Sequence, residues 1–365
     1  MMKRHFIRTA ATLVAAVLLS LQCFAVPQTS ASSAILIDAD TGAVLLEQNP
    51  SERSLIASTT KIMTAIVVIE HCDLSQTVTV PVEAAGIEGS SMYLKAGEKL
   101  TIRDLLYGMM LHSGNDAAVA LALACSGSVE AFAAQMNETA QSLSLKDTHF
   151  ANPNGLDSKE NYSTAADLAA MTRYALKNPA FAEIVSTKSI RVGKRCLTNH
   201  NKLLWSVEGA IGVKTGYTRA AGRILVSAAQ REGRKLIAVT INDGNDWHDH
   251  SVMYDYGFSC YTYRTAIKAG QAVALLPLAD GTQVPLIAAE TFSYALSEQD
   301  RLKVRPLYPR IALCAGEAGT PAGIGGVYLG ETFLGTIRLI WGEGEGENEG
   351  TDPEDSVGTR DHIPS

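Results

Sequence analysis

The sequence has no excess of basic residues. Its 365 residues include 31 lysines and arginines against 38 aspartates and glutamates, so the formal net charge is −7. A basic surface for binding nucleic acid is therefore not expected. The chain is 46% hydrophobic and 19% charged, a globular composition that excludes a wholly disordered chain, a collagen and a coiled coil. Its length is enough for two or three domains, and no internal repeat is present.

The six cysteines lack the spacing of a metal site. No Cys-x-x-Cys pair occurs, and the intervals between cysteines are wide. We interpret them as small buried apolar side chains, with one disulfide as the alternative. Other candidate metal ligands are densest in Asp246–His250. A polar loop between a strand and a helix explains that group as well as a metal does.

Long apolar runs are absent apart from one at the N-terminus. Three basic residues, Lys3, Arg4 and Arg8, precede an apolar stretch over residues 10–26 that is short for a membrane-spanning helix. Small residues follow up to position 31, so residues 1–31 are predicted to be a secretory signal peptide, cleaved between positions 25 and 31. The protein is therefore expected to be exported to an extracytoplasmic location, in the cell wall, the periplasmic space or the medium. Retention of the uncleaved segment as a membrane anchor is the alternative.

Composition divides the rest of the chain into three parts. Residues 32–264 alternate strand-like and helix-like patterns. Residues 265–340 consist of short apolar runs broken by glycine and proline, which indicates a small all-β domain. Residues 341–365 contain eight acidic residues and one basic residue, a balance equal to the net charge of the whole chain. This last part is predicted to be a disordered, solubilising tail.

The first candidate for chemistry is Ser58-x-x-Lys61. An almost uniformly apolar segment, residues 62–69, predicts a buried helix that begins near Ser58 and places both side chains on one face. A serine hydroxyl needs a nearby base to act as a nucleophile, and a lysine in a partly dry site can lose its proton near neutral pH. Taken alone, the motif is more simply a helix cap with a surface lysine.

The second candidate is Ser113-Gly114-Asn115. It lies between a predicted amphipathic helix over residues 101–110, with Asp104 near its start, and a predicted buried helix over residues 116–122. A tight turn between helices can direct a hydroxyl and an amide into a cleft. Ordinary turn chemistry favours the same residues.

The third candidate is Lys214-Thr215-Gly216. It lies in the first of three predicted antiparallel strands, over residues 211–217, 223–229 and 235–241. Lysine supplies positive charge, threonine supplies a hydroxyl, and glycine allows a ligand to approach the backbone. Such a strand can also pair with an extended peptide. On its own the tripeptide is explained as well by an ordinary turn.

Together, and in this order, the three motifs resemble those of low-molecular-mass penicillin-binding proteins, which are serine D-alanyl-D-alanine carboxypeptidases of the DD-peptidase and β-lactamase-like superfamily. Segments 150–157, 162–168 and 201–204 add to the resemblance, which covers residues 34–340. It implies an α/β (α+β) fold, in which helices flank an antiparallel sheet, followed by a small all-β C-terminal domain. Residues 32–264 would then be the catalytic domain.

The resemblance also implies a role for each motif residue. Ser58 would be acylated by the penultimate D-Ala of a peptidoglycan stem peptide, and Lys61 would be the base. Ser113 and Asn115 would relay a proton and hold the substrate amide, with Lys214 tuning that network. Thr215, together with Lys214, would bind the terminal carboxylate. The backbone N–H groups of Ser58 and Tyr217 would form the oxyanion hole. Gly216 and His200 are the remaining substrate-binding positions.

His200 stands where related enzymes can carry an arginine. A histidine does not give the same constant charge, so binding of the carboxylate is expected to differ. β-Lactams are expected to acylate Ser58, and no metal or organic cofactor is implied. Family members often end in an amphipathic helix on the membrane, whereas here Leu339–Trp341 runs directly into the acidic tail. Membrane association is therefore left open.

Two other functions fit the same resemblance. A β-lactamase is disfavoured, because residues 154–170 contain no clear Glu-x-x-Leu-Asn deacylation motif and a β-lactamase has no use for the appended β domain. A penicillin-binding sensor or wall-binding module with a decayed site is disfavoured, because every motif residue is present. Slow deacylation with retained acylation would identify such a sensor.

Overall fold

The computed structural model describes residues 26–297, 299–307 and 312–343. Most of the predicted signal peptide and of the predicted acidic tail lies outside the described residues. The chain divides into two compact units between Thr262 and Tyr263. The end of the predicted signal peptide belongs structurally to the first unit. Ala31 is buried, and the Ser30 hydroxyl donates to Asp243 and Asp249.

The first unit contains both strands and helices. Its strands are β1 (Ser33–Asp38), β2 (Val44–Gln48), β3 (Ser54–Leu55), β4 (Thr77–Thr79), β5 (Lys99–Thr101), β6 (Tyr162–Ser163), β7 (Ser189–Val192), β8 (Arg195–Thr198), β9 (Ala210–Thr218), β10 (Gly222–Arg231) and β11 (Arg234–Ile241). Its helices are α1 (Lys61–His71), α2 (Ile102–Leu111), α3 (Asn115–Ser126), α4 (Val129–Ser142), α5 (Ala165–Ala175), α6 (Pro179–Ser186), α7 (Leu203–Ser206) and α8 (Asp246–Cys260). Short 3-10 helices lie at Ala57–Thr60 and Val82–Ala84.

A five-stranded sheet in the order β2-β1-β11-β10-β9 organises this unit. Its neighbours pair antiparallel, and the three strands around Lys214 were predicted from the sequence. Helices cover both faces of the sheet. Alternate residues of a strand point to opposite faces, so each strand packs against helices on both sides. Val226 and Val239 join the core formed with the helices that carry the first two motifs. Ser227 and Thr240 point instead toward α8.

The α1 helix is buried along most of its length, as its sequence predicted. Residues 61–68 are all buried, and the predicted helices around the second motif are also confirmed as α2 and α3. Thr101 and Asp104 form a reciprocal capping box that fixes the start of α2. The edge strand β9 carries Lys214 and contacts the 3-10 segment Ala57–Thr60 that precedes α1.

The second unit is built from strands, which confirms the predicted all-β C-terminal region. They are β12 (Thr262–Ile267, which begins one residue before the boundary), β13 (Ala272–Pro277), β14 (Gln283–Ala288), β15 (Phe292–Leu296), β16 (Leu302–Pro306), β17 (Pro321–Leu329) and β18 (Thr332–Trp341). A five-stranded sheet has the order β13-β14-β18-β17-β16, and β12 pairs with β15. A small apolar core that includes Leu286, Val327 and Ile337 holds these strands together.

The interpretation of the cysteines as buried apolar side chains is wrong. Cys72, directly after α1, and Cys125, in α3, form a disulfide, with their Cα atoms 6.3 Å apart. Cys196 and Cys314 are exposed. The disulfide links the helices that carry the first two motifs, a contact between residues far apart in sequence that spacing alone does not reveal.

Asp246–His250 is not a loop, as the sequence suggested, but the first turn of α8. His250 is fully buried, and its ring accepts or donates hydrogen bonds with Ser227 and Thr240. Burial lowers the pKa of His250 to about 3, so this imidazole is a neutral part of the core. Within the described residues, no three His, Cys, Asp or Glu side chains are grouped so that they could hold a metal ion.

No single helix among the described residues is long and apolar enough to cross a membrane. The pair α3 and α4 together has that length and composition, but it is bent by 85° at the break between the two helices.

Candidate active site

The turn that carries Ser58 is a 3-10 helix and not the first turn of an α-helix. The 3-10 segment Ala57–Thr60 leads directly into α1, whose first residue is Lys61. Ala57 has a φ of 45°, in the left-handed region that is costly for a residue with a side chain. The turn brings the Lys61 Nζ to 3.0 Å from the Ser58 Oγ. The predicted Ser58–Lys61 juxtaposition is therefore present.

Lys61 is fully buried and has three oxygen neighbours. Its Nζ lies 2.6 Å from the Asn115 Oδ1, contacts the backbone oxygen of Asn154, and contacts the Ser58 hydroxyl. The Asn115 and Asn154 oxygens are pure acceptors, whereas the hydroxyl can also donate. A neutral amine has two N–H donors and one lone pair, so it satisfies both carbonyl oxygens and accepts from Ser58. The surroundings thus suit the uncharged form.

The electrostatics of the site favour the same form. Burial, and then the charge of Lys214, hold the pKa of Lys61 well below its ordinary value of 10.5, and the carboxylate of Asp116 opposes part of this effect. A base that is neutral near physiological pH can remove the proton of a hydroxyl within hydrogen-bond reach. Lys61 is placed and tuned for that step.

The second motif occupies the turn between α2 and α3. Ser113 has a φ of 61° and is buried, so the chain reverses direction within Ser113 and Gly114. Asn115 is the first residue of α3, and its side chain bridges two elements. Its Oδ1 accepts from Lys61, while its Nδ2 donates to the backbone oxygen of Glu88 at 2.7 Å. This bridge fixes the amide in one orientation.

Asp116, the residue after the motif, holds the chain segment that forms the adjacent wall. Its buried carboxylate accepts from the Ser91 hydroxyl and from the backbone N–H groups of Met92 and Leu94. Arg195 binds the same segment from outside through the backbone oxygen of Met92. Sequence reasoning missed this wall, because the partners are more than 20 residues apart and no local pattern marks them.

The third motif lies on β9, which packs directly against the Ser58 turn. A Cβ added to Gly216 would lie 3.2 Å from the Ile56 backbone oxygen and 3.3 Å from the Thr59 backbone nitrogen. The glycine therefore permits a close approach between two parts of the protein, where the sequence suggested an approach by a ligand. On the other side of the turn, Gly155 has a φ of +82°, and a Cβ there would lie 2.0 Å from the Ala57 backbone oxygen.

Lys214 is buried beside this contact. Its Nζ donates to the backbone oxygen of Thr215 at 2.8 Å. Burial lowers the pKa of Lys214 to about 7, so its charge is partial near neutral pH. The two lysines of the motifs thus influence each other, since the charge of Lys214 is one cause of the lowered pKa of Lys61.

A cavity of about 410 Å³ opens on Ser58 and joins the three motifs. It is lined by Ser58, Ser90, Ser113, His200, Thr215, Gly216, Tyr217, Arg223, Ile224, Asp246 and Trp247. Tyr217 is 68% exposed, so its ring forms part of the rim. Lys61, Asn115 and Lys214 are not among the lining residues, and Lys61 contacts the hydroxyl of the lining residue Ser58.

His200 reaches the cavity from the segment after β8 and lies beside His112, with 4.8 Å between the two ring centroids. Partial burial of the imidazole, and then the charges of Lys214 and His112, lower the pKa of His200 to about 4. His200 is therefore uncharged near neutral pH. It offers a hydrogen bond to a substrate, but not the permanent charge of an arginine.

The motifs missed several residues of the site, including Asn154, Arg223, Asp246 and Trp247. Asn154, whose backbone oxygen binds Lys61, lies in a segment that the family resemblance included without assigning it a role. Arg223, Asp246 and Trp247 line the cavity from β10 and from the start of α8. The signal for Asp246 and Trp247 was the dense polar group at Asp246–His250, which was considered for a metal and not for a wall of the site, and Arg223 had no such signal.

Comparison with known proteins agrees with this geometry. The family model described as D-alanyl-D-alanine carboxypeptidase (Peptidase_S11) matches residues 21–245. The D-alanyl-D-alanine carboxypeptidase DacF of Bacillus subtilis (strain 168) is 36% identical over 278 residues, which is 72% of each chain.

Two solved structures share the fold over most of the chain. The D-alanyl-D-alanine carboxypeptidase DacD from Francisella tularensis superposes with a TM-score of 0.72 at 26% identity, covering 88% of this chain and 94% of that one. Penicillin binding protein 5 from Haemophilus influenzae superposes with a TM-score of 0.72 at 27% identity, covering 87% of this chain and 98% of that one.

Proposed function

Because the chain belongs to the D-alanyl-D-alanine carboxypeptidase family, we propose that it removes the terminal D-Ala of peptidoglycan stem peptides through an acyl-enzyme on Ser58. The protein is a serine-type hydrolase of the cell wall with a penicillin-binding fold. The observation that carries the proposal is the position of the Lys61 Nζ, 3.0 Å from the Ser58 Oγ and 2.6 Å from the Asn115 Oδ1.

Acylation begins at the neutral Lys61 amine. It takes the proton of the Ser58 hydroxyl, and the Oγ attacks the carbonyl carbon of the penultimate D-Ala. Negative charge then develops on the carbonyl oxygen, and the backbone N–H groups of Ser58 and Tyr217 are proposed to stabilise it. The terminal carboxylate lies toward Thr215, Lys214 and His200, which places the leaving D-Ala at that end of the cavity.

Collapse of the tetrahedral intermediate breaks the peptide C–N bond. The leaving amine needs a proton, and Ser113 is proposed to relay it from Lys61 with Lys214 tuning the path. Asn115 holds Lys61 and the substrate amide in place. A water molecule then attacks the Ser58 ester, which releases the shortened peptide and regenerates the hydroxyl. A β-lactam acylates the same oxygen, because its strained amide occupies the position of the scissile bond.

We further propose that residues 32–264 form the catalytic domain and that the protein acts outside the cytoplasm. The N-terminal sequence supports export. The contacts of Ser30 and Ala31 with the first unit favour cleavage before position 30, because a cut after Ser30 would remove this residue from its hydrogen bonds with Asp249.

The function is tested by D-Ala release from diacetyl-L-Lys-D-Ala-D-Ala by the purified exported form. We expect one D-Ala per peptide, and no release of alanine from the matched peptide that ends in D-Ala-L-Ala. Prior reaction with a penicillin should remove the activity in proportion to the fraction of protein labelled. Release that persists in fully labelled protein would contradict the proposal.

The pH dependence of kcat/KM should report both buried lysines. Activity rises with pH as Lys61 loses its proton, because only the neutral amine is a base. It then falls with a midpoint of about 7, because deprotonation of Lys214 removes the charge that attracts the substrate carboxylate. Lys214→Gln should abolish the alkaline limb and lower the activity on its acidic side by roughly tenfold to a hundredfold.

The matched control is Lys194→Gln, which removes a lysine exposed on the surface. It should keep the wild-type profile. An alkaline limb with an unchanged midpoint in Lys214→Gln would show that another group controls it.

A further inference from the structure

Part of the cavity lining has no role in the proposed reaction. Besides Ser58 and Tyr217, the cavity is lined by Arg223, Asp246 and Trp247. Among its described lining residues, Arg223 is the one lysine or arginine, and His200 is uncharged near neutral pH. The positive charge on this surface of the cavity therefore comes from Arg223.

Asp246 fixes the position of the Arg223 guanidinium. The Nε and Nη2 of Arg223 both donate to the Asp246 carboxylate, at 3.2 Å for the Nε. The guanidinium also lies over the ring of Trp247, 5.7 Å from its centroid. The Asp246 side chain is 4% exposed and the Arg223 side chain 44% exposed. The guanidinium is thus the more exposed partner of the pair, whereas the Asp246 carboxylate, which also lines the cavity, is almost fully covered.

Arg223 retains hydrogen-bonding capacity in this position. Its Nη1 has no hydrogen-bond partner among the residues that the structure describes. A guanidinium that is held on one edge by a carboxylate and stacked on an indole loses little conformational freedom when it binds a second anion. The arrangement suits recognition of a carboxylate.

The register between β9 and β10 indicates which part of a substrate would reach Arg223. Arg223 is paired with Tyr217, and Leu225 is paired with Thr215. Two residues of a strand span about 7 Å. A peptide whose terminal carboxylate lies at Thr215 and whose scissile carbonyl lies at the Tyr217 N–H therefore extends its acyl-donor part beyond Tyr217. Arg223 lies at that level of the sheet, and away from the leaving D-Ala.

From this juxtaposition we infer that Arg223, positioned by Asp246 and Trp247, is a specificity subsite for a carboxylate in the acyl-donor part of the stem peptide. The inference rests on the proposed function and on the substrate direction given there. Two groups have this chemistry, the α-carboxylate of a γ-linked glutamate and the second carboxylate of a diaminopimelate residue. The subsite selects for either of these anions over its carboxamide.

The test compares pairs of peptides ending in D-Ala-D-Ala that differ in one group. In the first pair a γ-linked D-glutamate bears either a carboxylate or a carboxamide. In the second pair the diaminopimelate carboxylate is either free or amidated. Wild-type protein should prefer the free carboxylate by about tenfold in kcat/KM in one of the two pairs, and that pair identifies the anion.

Arg223→Gln should reduce the ratio of the two kcat/KM values to near one. Arg223→Lys should retain part of the preference, because lysine keeps the charge but lacks the paired N–H donors of a guanidinium. Arg219→Gln is the matched control. It removes an exposed arginine of the neighbouring turn that does not line the cavity, and it should leave the preference unchanged.

Labelling of Ser58 by a fluorescent penicillin separates this inference from the proposed function. If the variants label normally but Arg223→Gln keeps the wild-type preference in both pairs, the subsite is wrong and the serine mechanism stands. An equal loss on the carboxylate and carboxamide peptides would assign Arg223 to the terminal carboxylate or to the fold, and would also overturn the subsite. Failure of the wild-type protein to label would overturn both.

Discussion

Replacement of Ser58 by alanine is expected to abolish covalent labelling by a fluorescent penicillin and to lower D-Ala release by a factor of about 10⁴ or more. The reason is that no other group in the cavity can form the acyl-enzyme. Ser90 and Ser113 also line the cavity, but Ser58 is the one whose Oγ contacts the buried Lys61 amine. Labelling on a denaturing gel and D-Ala release measure the two effects separately.

The fold should survive this change. The Ser58 side chain is only partly buried, and its one hydrogen bond among the described residues is with Lys61. Circular dichroism and thermal unfolding should therefore be close to those of the wild type. Ser51→Ala, at an exposed position before the turn, is the matched control and should label normally. Penicillin labelling that persists in Ser58→Ala would place the nucleophile elsewhere.

Replacement of Lys61 should slow acylation by a factor of about 10² to 10⁴, which is the usual contribution of a general base. Lys61→Arg keeps a cation but cannot supply a neutral base, because a guanidinium does not lose its proton in proteins. Lys61→Met keeps a similar length without an amine, so it tests the same step if the larger arginine disturbs the packing. The second-order rate constant of penicillin acylation is the quantity to measure.

Lys146→Met is the matched control. It removes an exposed lysine that follows α4 in the chain and so tests the effect of losing a lysine away from the site. It should acylate at the wild-type rate. In the Lys61 variants the remaining rate should also lose the rise with pH that the wild-type protein shows. Acylation by Lys61→Met at the wild-type rate would assign the base to another group.

The rate of deacylation separates a hydrolase from a penicillin-binding sensor. A carboxypeptidase must return Ser58 to its free state after each peptide, whereas a sensor needs only to acylate. The complete set of motif side chains around one cavity favours turnover. Two solved relatives that cover 88% and 87% of the chain are a D-alanyl-D-alanine carboxypeptidase and a penicillin binding protein.

Much of the fold was predictable because its signals are local. The apolar run after Ser58 predicted the buried helix α1, and Asp104 marked the start of α2. The three strands around Lys214 followed from alternating apolar runs separated by a turn. Each of these signals lies within a dozen residues, so no knowledge of distant partners was needed.

The details of the site depended on contacts between distant residues. The bond from Lys61 to the Asn154 backbone oxygen joins residues 93 positions apart, and backbone groups have no signature in a sequence. The Cys72–Cys125 disulfide and the wall held by Asp116 are also long-range. The 3-10 form of the Ser58 turn reflects packing against Gly216 and Gly155, which overrides the helical pattern on its C-terminal side.

The central claim is that Lys61 is an uncharged amine beside Ser58 in the resting protein. Its most direct test is an NMR titration of protein labelled with ¹³C at the lysine Cε, with the Lys61 signal identified by its absence in Lys61→Met. The account predicts that the amine loses its proton with a midpoint well below the ordinary lysine value of 10.5. A Lys61 signal that remains that of an ammonium group up to pH 10 would contradict it.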